Sequence, residues 1–172
     1  MSQIRFLIYV LLLLILGSAS WMRSSIYNGP IAIWKDAALK SPNKGRVHDN
    51  LGVVLKQSDH IPEAMQEFEK AIKLGPDDPL AMNNLATIYC MIGRRRECGA
   101  LLQKATSIMP DYLDARYNLA IYYYDEGLLD ESLQEYNAVI RIAPVSQESV
   151  FAQQMLITIQ NEKAKGSQKK NR

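Results

Sequence analysis

The chain has 172 residues, of which 48% are hydrophobic and 22% are charged. These proportions are typical of a folded domain with a core, and they exclude a wholly disordered chain. The net charge of +2 comes from the ends, because residues 1–23 and 163–172 carry basic residues and no acid. The section from 24 to 162 holds 13 basic and 18 acidic residues. This mild acidity argues against nucleic acid as a partner.

An unbroken apolar run extends from Phe6 to Leu16 and is followed by four small residues and Trp21. One interpretation is a retained membrane helix over residues 6–22, with Trp21 at the interface, since roughly 20 apolar residues span a bilayer. The other is a signal peptide with Arg5 as its positive start and cleavage among the small residues. We expect a retained anchor, and therefore a single-pass membrane protein. Secretion after cleavage is the alternative.

The orientation of such an anchor is less clear from the charges. Arg23, Lys35 and Lys40 follow the apolar run, and the positive-inside rule would then keep the rest of the chain in the cytoplasm. Against this, a short basic start followed by an apolar run is typical of exported chains. We expect an extracytoplasmic body, either periplasmic or lumenal.

Residue types recur every 34 positions between residues 45 and 146. Each copy has a leucine followed by a small residue, then a second small residue followed by a large apolar one, and finally a proline. Proline lacks the N–H that would continue a helix, so each proline is expected to end one. Two helices approach closely only where small side chains meet, so each copy predicts a tight helical hairpin. These positions hold Leu51, Leu85 and Leu119; Gly52, Ala86 and Ala120; Ala64, Cys98 and Ser132; Phe68, Leu102 and Tyr136; and Pro76, Pro110 and Pro144.

This pattern resembles the tetratricopeptide repeat (TPR), a 34-residue helix-turn-helix unit. The family's tryptophan near the start of each repeat is missing here. The resemblance implies an all-α TPR solenoid, preceded in this chain by one apolar N-terminal helix. It places the repeats at 45–78, 79–112 and 113–146.

The regions outside the three repeats are assigned by their composition. Residues 1–23 are the anchor, and residues 24–44 hold a junction and a partial repeat whose second helix contains Trp34. Residues 147–164 are predicted to form a capping helix over the last repeat, and the basic tail at 165–172 is predicted to be disordered. The apolar side of the capping helix is expected to carry Val150, Phe151, Met155, Ile157 and Ile159.

A second resemblance covers fewer than thirty residues and rests on Arg23, Trp34, Asp36, Pro42 and Arg46. They are similar to the stretch that joins the last membrane helix to the repeats in multispanning glycosyltransferase-like proteins of the transmembrane-and-TPR class. It implies a retained membrane helix with lumenal or periplasmic repeats. No transferase activity is carried over, because the catalytic membrane domain of such proteins is not represented here. The chain would be a stand-alone relative or a fragment of one.

No arrangement of reactive residues predicts catalysis. His48, Asp49, Cys90, Asp125 and Glu126 are candidates by type alone, and they follow no catalytic motif. We therefore expect no enzyme activity, no cofactor, no metal site and no small-molecule substrate. The second cysteine of the chain stands in a small-residue position and is expected to be buried as a structural thiol. A disulfide between the two cysteines is conceivable in an oxidising compartment, but we expect them to project from different faces of the hairpin.

The predicted function is protein binding. First helices of stacked hairpins line a concave surface, and Met91, Tyr117, Ile121 and Tyr124 would form an apolar patch there, as interface cores favour. We expect a peptide or helix in this groove, or a neighbouring membrane subunit. Cations that could hold a partner's terminal carboxylate are missing from the matching positions. The predicted groove residues are Asp49, Val53, Lys56, Asn83, Thr87, Met91, Tyr117, Ile121 and Tyr124.

Overall fold

The computed structural model describes residues 29–170 of the chain, with side chains described as far as residue 166. The apolar segment over residues 6–22, predicted to be an N-terminal membrane helix, lies outside the described residues. The described part is all-α. Its helices are α1 (Pro30–Lys40), α2 (Gly45–Gln57), α3 (Ile61–Leu74), α4 (Pro79–Met91), α5 (Arg95–Ile108), α6 (Leu113–Asp125), α7 (Leu129–Ile142) and α8 (Gln147–Lys170).

The helices form antiparallel hairpins that stack into a solenoid. The hairpins are α2 with α3, α4 with α5, and α6 with α7, and each packs on the next. The first helices also contact one another, α2 with α4 and α4 with α6. Because neighbouring first helices approach each other in this way, the stack curves with these helices on its concave side.

Small residues permit the close approach within each hairpin, as the sequence pattern predicts. A Cβ atom added to Gly52 would lie 2.6 Å from the ring of Phe68, which belongs to the other helix of the hairpin. Ala64, Cys98 and Ser132 are fully buried. In the last hairpin the hydroxyl of Ser132 donates a hydrogen bond to a backbone carbonyl of α6 at 2.9 Å. The large apolar residues then fill the space between these contacts.

The turns between the two helices of a hairpin use left-handed backbone. Gly93 and Gly127 have φ angles of 80° and 73°, a region that glycine enters without a steric cost. In the first hairpin the corresponding residue is Asp59, with φ of 63°. Aspartate tolerates this conformation better than most residues, so the first repeat keeps the same turn without a glycine.

The N-terminal end of the solenoid is covered by α1. None of its residues is fully buried, but Ile31, Trp34 and Ala38 pack against the core of the first two repeats. This helix stands where the second helix of a preceding repeat would stand. Among the described residues, no helix is both long enough and apolar enough to cross a membrane.

The C-terminal end is covered by α8, which differs in two respects from the predicted capping helix. It continues to Lys170, beyond the predicted end at residue 164. Its buried residues are Ser149, Ala152 and Ile159. By contrast, Val150, Phe151 and Ile157, predicted on the apolar side, are 66%, 45% and 55% exposed. The reason is that α8 packs as the first helix of a further repeat, and within residues 29–170 no second helix covers its outer side.

Candidate partner-binding groove

The concave face carries its side chains in rows with a spacing of 34 residues. The helices α2, α4 and α6 line it, and α8 extends it because its start, Gln147, follows that of α6 by the same interval. Two rows run across these four helices. They consist of Asp49, Asn83, Tyr117 and Phe151, and of Val53, Thr87, Ile121 and Met155.

Side-chain amides connect the first helices of neighbouring repeats. Asn84 Nδ2 donates to Asp49 Oδ1 and Asn118 Nδ2 donates to Asn83 Oδ1, both at 2.9 Å. The two acceptor residues, which were predicted to bind a partner, are only 8% and 5% exposed. We call these two hydrogen bonds the amide ladder. An asparagine stands directly before the leucine of each repeat, and this recurrence is the sequence signal for the ladder, although its role was not inferred. Ala152 replaces the asparagine in α8, so the ladder ends there.

Burial shifts the pKa values of several groups in the first two repeats. Burial raises the pKa of the Asp49 carboxyl, although the hydrogen bond from Asn84 acts in the opposite direction. Lys56 Nζ donates to Thr87 Oγ1 at 2.7 Å, and desolvation lowers the pKa of this lysine. Burial likewise raises the pKa of Tyr112 to about 12. This half of the groove is a polar network whose members are hydrogen-bonded to each other.

The other half of the groove is aromatic. The ring of Tyr117 meets the rings of Tyr136 and Phe151 edge to face, with centroid distances of 6.5 Å and 5.8 Å. The Tyr124 hydroxyl donates to Glu162 Oε1 of α8 at 2.9 Å, and this hydrogen bond raises the pKa of Tyr124. The helix α8 therefore shapes this half of the groove. Sequence reasoning missed the groove position of Phe151, although it follows Tyr117 by one repeat length.

The remaining predicted residues lie at different depths. Val53 and Ile121 are half-buried within their row. Met91 is the last residue of α4 and is 61% exposed, next to Ile92, which is 48% exposed. The structure therefore places Met91 at the rim of the groove, apart from the aromatic half.

Cys90 and Cys98 form a disulfide that joins α4 to α5, with their Cα atoms 5.3 Å apart. The expectation that they project from different faces of the hairpin is wrong. One cysteine lies in the last turn of α4 and the other in the first turn of α5, and the short turn at Gly93 brings these two helix ends together. Cys98 is fully buried in the small-residue position as expected, but as half of a disulfide.

A cavity of about 160 Å³ lies beside this disulfide, between α4, α5 and α6. Apolar walls come from the disulfide and from Leu102, Ile121 and Tyr122. The remaining lining is polar and consists of Thr87, Arg95, Asn118 and Asp125. The cavity lies on the concave side, because Ile121 belongs to one of the rows described above.

The remaining reactive groups are engaged in structural contacts. The ring of His48 has Nδ1 at 2.6 Å from Glu67 Oε2 of α3 and Nε2 at 2.9 Å from the Pro42 carbonyl. Both ring nitrogens thus hold α2 against its neighbours on the side away from the groove. Among the residues with described side chains, no cluster of His, Cys, Asp or Glu is arranged to hold a metal ion.

Three sequence profiles, each described as Tetratricopeptide repeat, match residues 45–78, 67–97 and 98–146. Together they extend over the three hairpins seen in the structure. The chain belongs to the tetratricopeptide repeat family. The solenoid and the concave row of first helices are therefore the TPR architecture that the 34-residue pattern predicts.

Several curated relatives are similar over part of their length. DnaJ homolog subfamily C member 3 of Mus musculus is 26% identical over 110 residues, covering 64% of this chain and 22% of that protein. Protein O-mannosyl-transferase TMTC3 of Mus musculus is 26% identical over 148 residues, covering 77% and 16%. The second similarity agrees with the resemblance seen at the N-terminal junction. The chain spans about a fifth or less of the length of these relatives.

Solved TPR structures share the fold. The TPR domain of P58(IPK) has a TM-score of 0.69 at 24% identity, covering 72% of this chain and 34% of that one. The first TPR domain of RPAP3, bound to the HSP90 peptide SRMEEVD, has a TM-score of 0.65 at 20% identity, covering 70% and 94%. At these identities the similarity establishes the architecture alone.

Proposed function

We propose that this protein is a membrane-anchored TPR scaffold that binds a partner polypeptide in its concave groove. The observation that carries the proposal is the aromatic half of the groove, where Tyr117, Ile121 and Tyr124 remain half-exposed beside Phe151. Repeats of this family generally serve as non-catalytic scaffolds, and RPAP3 has a TPR domain of this shape bound to a peptide. We accordingly propose a protein partner and no enzyme activity.

The chemistry of the groove favours recognition by apolar burial. A carboxylate clamp needs available cations on the first helices, and Lys56 is already hydrogen-bonded to Thr87. Asp49 and Asn83 are engaged in the amide ladder. Apolar and aromatic surface is what the third repeat offers instead, and a partner helix or strand would present Leu, Met or aromatic side chains to it.

The groove is tested with peptides selected from a random phage-displayed library on the full chain in detergent micelles. Replacing Tyr117 and Tyr124 together by alanine should weaken binding by roughly 2 kcal/mol or more, as hot-spot aromatics do, measured by fluorescence polarisation. Added salt should change the affinity little, because few charges would be paired.

The control for this test is Tyr123→Ala on the same helix. The Tyr123 hydroxyl accepts a hydrogen bond from Gln103 of α5 at 3.1 Å, so this ring belongs to the packing between repeats. The control should lose stability and keep its affinity for the peptides. Binding that fails in moderate salt, or that requires the free C-terminus of the peptide, would contradict apolar recognition.

We further propose that residues 6–22 anchor the protein in a membrane, with the repeats on the periplasmic or lumenal side. The disulfide between Cys90 and Cys98 supports this orientation, because disulfides persist in oxidising compartments. The protein should stay in the membrane fraction after carbonate washing, and its cysteines should resist alkylation until a reductant is added. A mature N-terminus at Ser20 or Trp21 would instead show secretion.

A second candidate function follows from the similarity to TMTC3, which extends over 148 residues. The chain would then be a stand-alone relative, or a fragment, of the non-catalytic repeat region of a multispanning glycosyltransferase-like protein. Co-purification with a multispanning membrane protein after crosslinking would favour this candidate over a free scaffold.

A further inference from the structure

We infer that the cavity beside the disulfide is an anchor pocket for one aliphatic side chain of the partner, with a basic residue of the same partner lying next to it. This inference rests on the proposed function and specifies what the groove selects. It concerns the junction of the second and third repeats rather than the aromatic half formed with α8.

The size and the apolar walls of the cavity indicate which partner side chain would fit it. Its volume is about 160 Å³, which suits one leucine- or methionine-sized group. The Cys90–Cys98 disulfide, Leu102 and Ile121 give it apolar walls, so that an aliphatic group entering it would leave water. The hydrophobic gain grows with the apolar area removed from water, so a side chain held in this cavity would be the main anchor of a short peptide.

The charges around the cavity indicate which charge the partner should carry next to its aliphatic side chain. Arg95 Nε donates to Glu126 Oε1 at 2.7 Å, and another of its nitrogens lies 3.2 Å from Asp125 Oδ2. The same guanidinium lies over the Tyr122 ring, 5.5 Å from its centroid. Its one positive charge therefore faces two carboxylates, and the side chain of Asp125 is 47% exposed.

The two carboxylates and the second cation near the cavity lie on different helices. Lys56 is held by its hydrogen bond to Thr87 of α4, whereas Asp125 ends α6 and Glu126 directly follows it. The α6 side of the cavity therefore carries two carboxylates against the one guanidinium of Arg95. A lysine or arginine beside the aliphatic anchor complements this side, whereas an acidic residue there would be repelled.

The disulfide fixes the shape of the pocket by joining its α4 wall to its α5 wall. Cys98 is fully buried, and Cys90 is partly buried in the groove. Neither wall can then move independently when a side chain enters, so the pocket is preorganised for its occupant. The corresponding junction of the first and second repeats has no such link, because residues 56 and 64 are lysine and alanine.

The experiment fills the pocket and compares it with the same bulk added elsewhere. Ile121→Trp occupies the cavity, while Val145→Trp adds a tryptophan between α7 and α8, at a residue that is 98% exposed and outside the groove. Both variants of the full chain are tested in detergent micelles with the peptides selected on the wild type, and circular dichroism verifies their folding. We expect the selected peptides to share an aliphatic residue next to Lys or Arg. Ile121→Trp should weaken the binding of these peptides about tenfold or more, and Val145→Trp should weaken it less than about threefold.

A second variant, Asp125→Asn, tests the charge without altering the volume. Peptides with a basic neighbour should bind about threefold more weakly to it, and the same peptides with that residue replaced by glutamine should not distinguish it from the wild type. If selected peptides bind Ile121→Trp as tightly as the wild type, the anchor pocket is disproved while groove binding stands. If the selection enriches no peptide at all, the proposed function fails and this inference fails with it.

Discussion

At the scale of single residues, the same row position serves a different purpose in each repeat. Asn83 accepts a hydrogen bond of the amide ladder with a neutral side-chain amide, whereas Asp49 accepts one with a buried carboxyl group. Tyr117, at the same position of the third repeat, packs against aromatic rings instead. The row therefore changes from polar to aromatic along the groove, and the partner's chemistry should follow that change.

Asp49→Asn should stabilise the protein at neutral pH. Burial raises the pKa of Asp49 above the usual range of an aspartate, so the folded state disfavours its ionised form. The resulting cost is absent below the unfolded-state pKa, grows as the pH rises through the folded-state pKa, and is complete above it. An asparagine accepts the hydrogen bond from Asn84 as Asn83 accepts that from Asn118.

The measurement is thermal unfolding at several pH values. The variant should melt about 2–4 °C higher than the wild type at pH 7, and this difference should shrink towards pH 3.5. A lower melting temperature at pH 7 would mean that the charge on Asp49 stabilises the fold.

At the scale of elements, the hairpin depends on the absence of a side chain at one point. Gly52 sits in the middle of α2 against the fully buried ring of Phe68. Helix propensity alone would favour alanine there by about 1 kcal/mol. Glycine makes α2 less stable as an isolated helix, but it leaves the space that the Phe68 ring of α3 occupies.

Gly52→Ala should destabilise the protein by about 1–3 kcal/mol, because its Cβ would overlap the Phe68 ring. Gly166→Ala is the matched control, since a Cβ at that helical glycine meets nothing within 4 Å. Urea denaturation should show a lower midpoint for the first variant and an equal or higher midpoint for the second. Equal midpoints for Gly52→Ala and the wild type would disprove the close contact.

At the scale of the whole molecule, stability comes from contacts between neighbouring units. The core of the last repeat includes Ala120, Tyr136 and Val139, together with Ala152 and Ile159 of α8. The core of the first two repeats is a separate cluster that α1 covers at the other end. Damage at one end should therefore remain local, as in other solenoids.

Removal of residues 147–172 should expose the apolar surface of α7. Hydrogen exchange should then accelerate in α6 and α7 and change little in α2 and α3, because the first repeat makes no contact with α8 through its own core. A chain shortened only by residues 167–172 is the control and should exchange like the wild type. Uniform acceleration along the solenoid would contradict this separation of the two ends.

The sequence by itself determined the repeat length, the order of the helices and the small residues that face each other in each hairpin. These features are local and recur in every repeat, so the assignment made in one repeat can be checked against the other two. The C-terminal proline of each repeat and the glycines at the turns are signals of the same kind, because they act on the backbone of the residues beside them.

Only the tertiary structure decided which side chains meet across helices. The Cys90–Cys98 disulfide, the ladder from Asn84 to Asp49 and the contact of Phe151 with Tyr117 each depend on how one helix is rotated against another. A residue pattern with a period of 34 predicts how the repeats stack, but it does not predict the rotation of each helix about its own axis. That rotation decides whether a cysteine faces its partner or solvent, and whether a groove residue is free to bind.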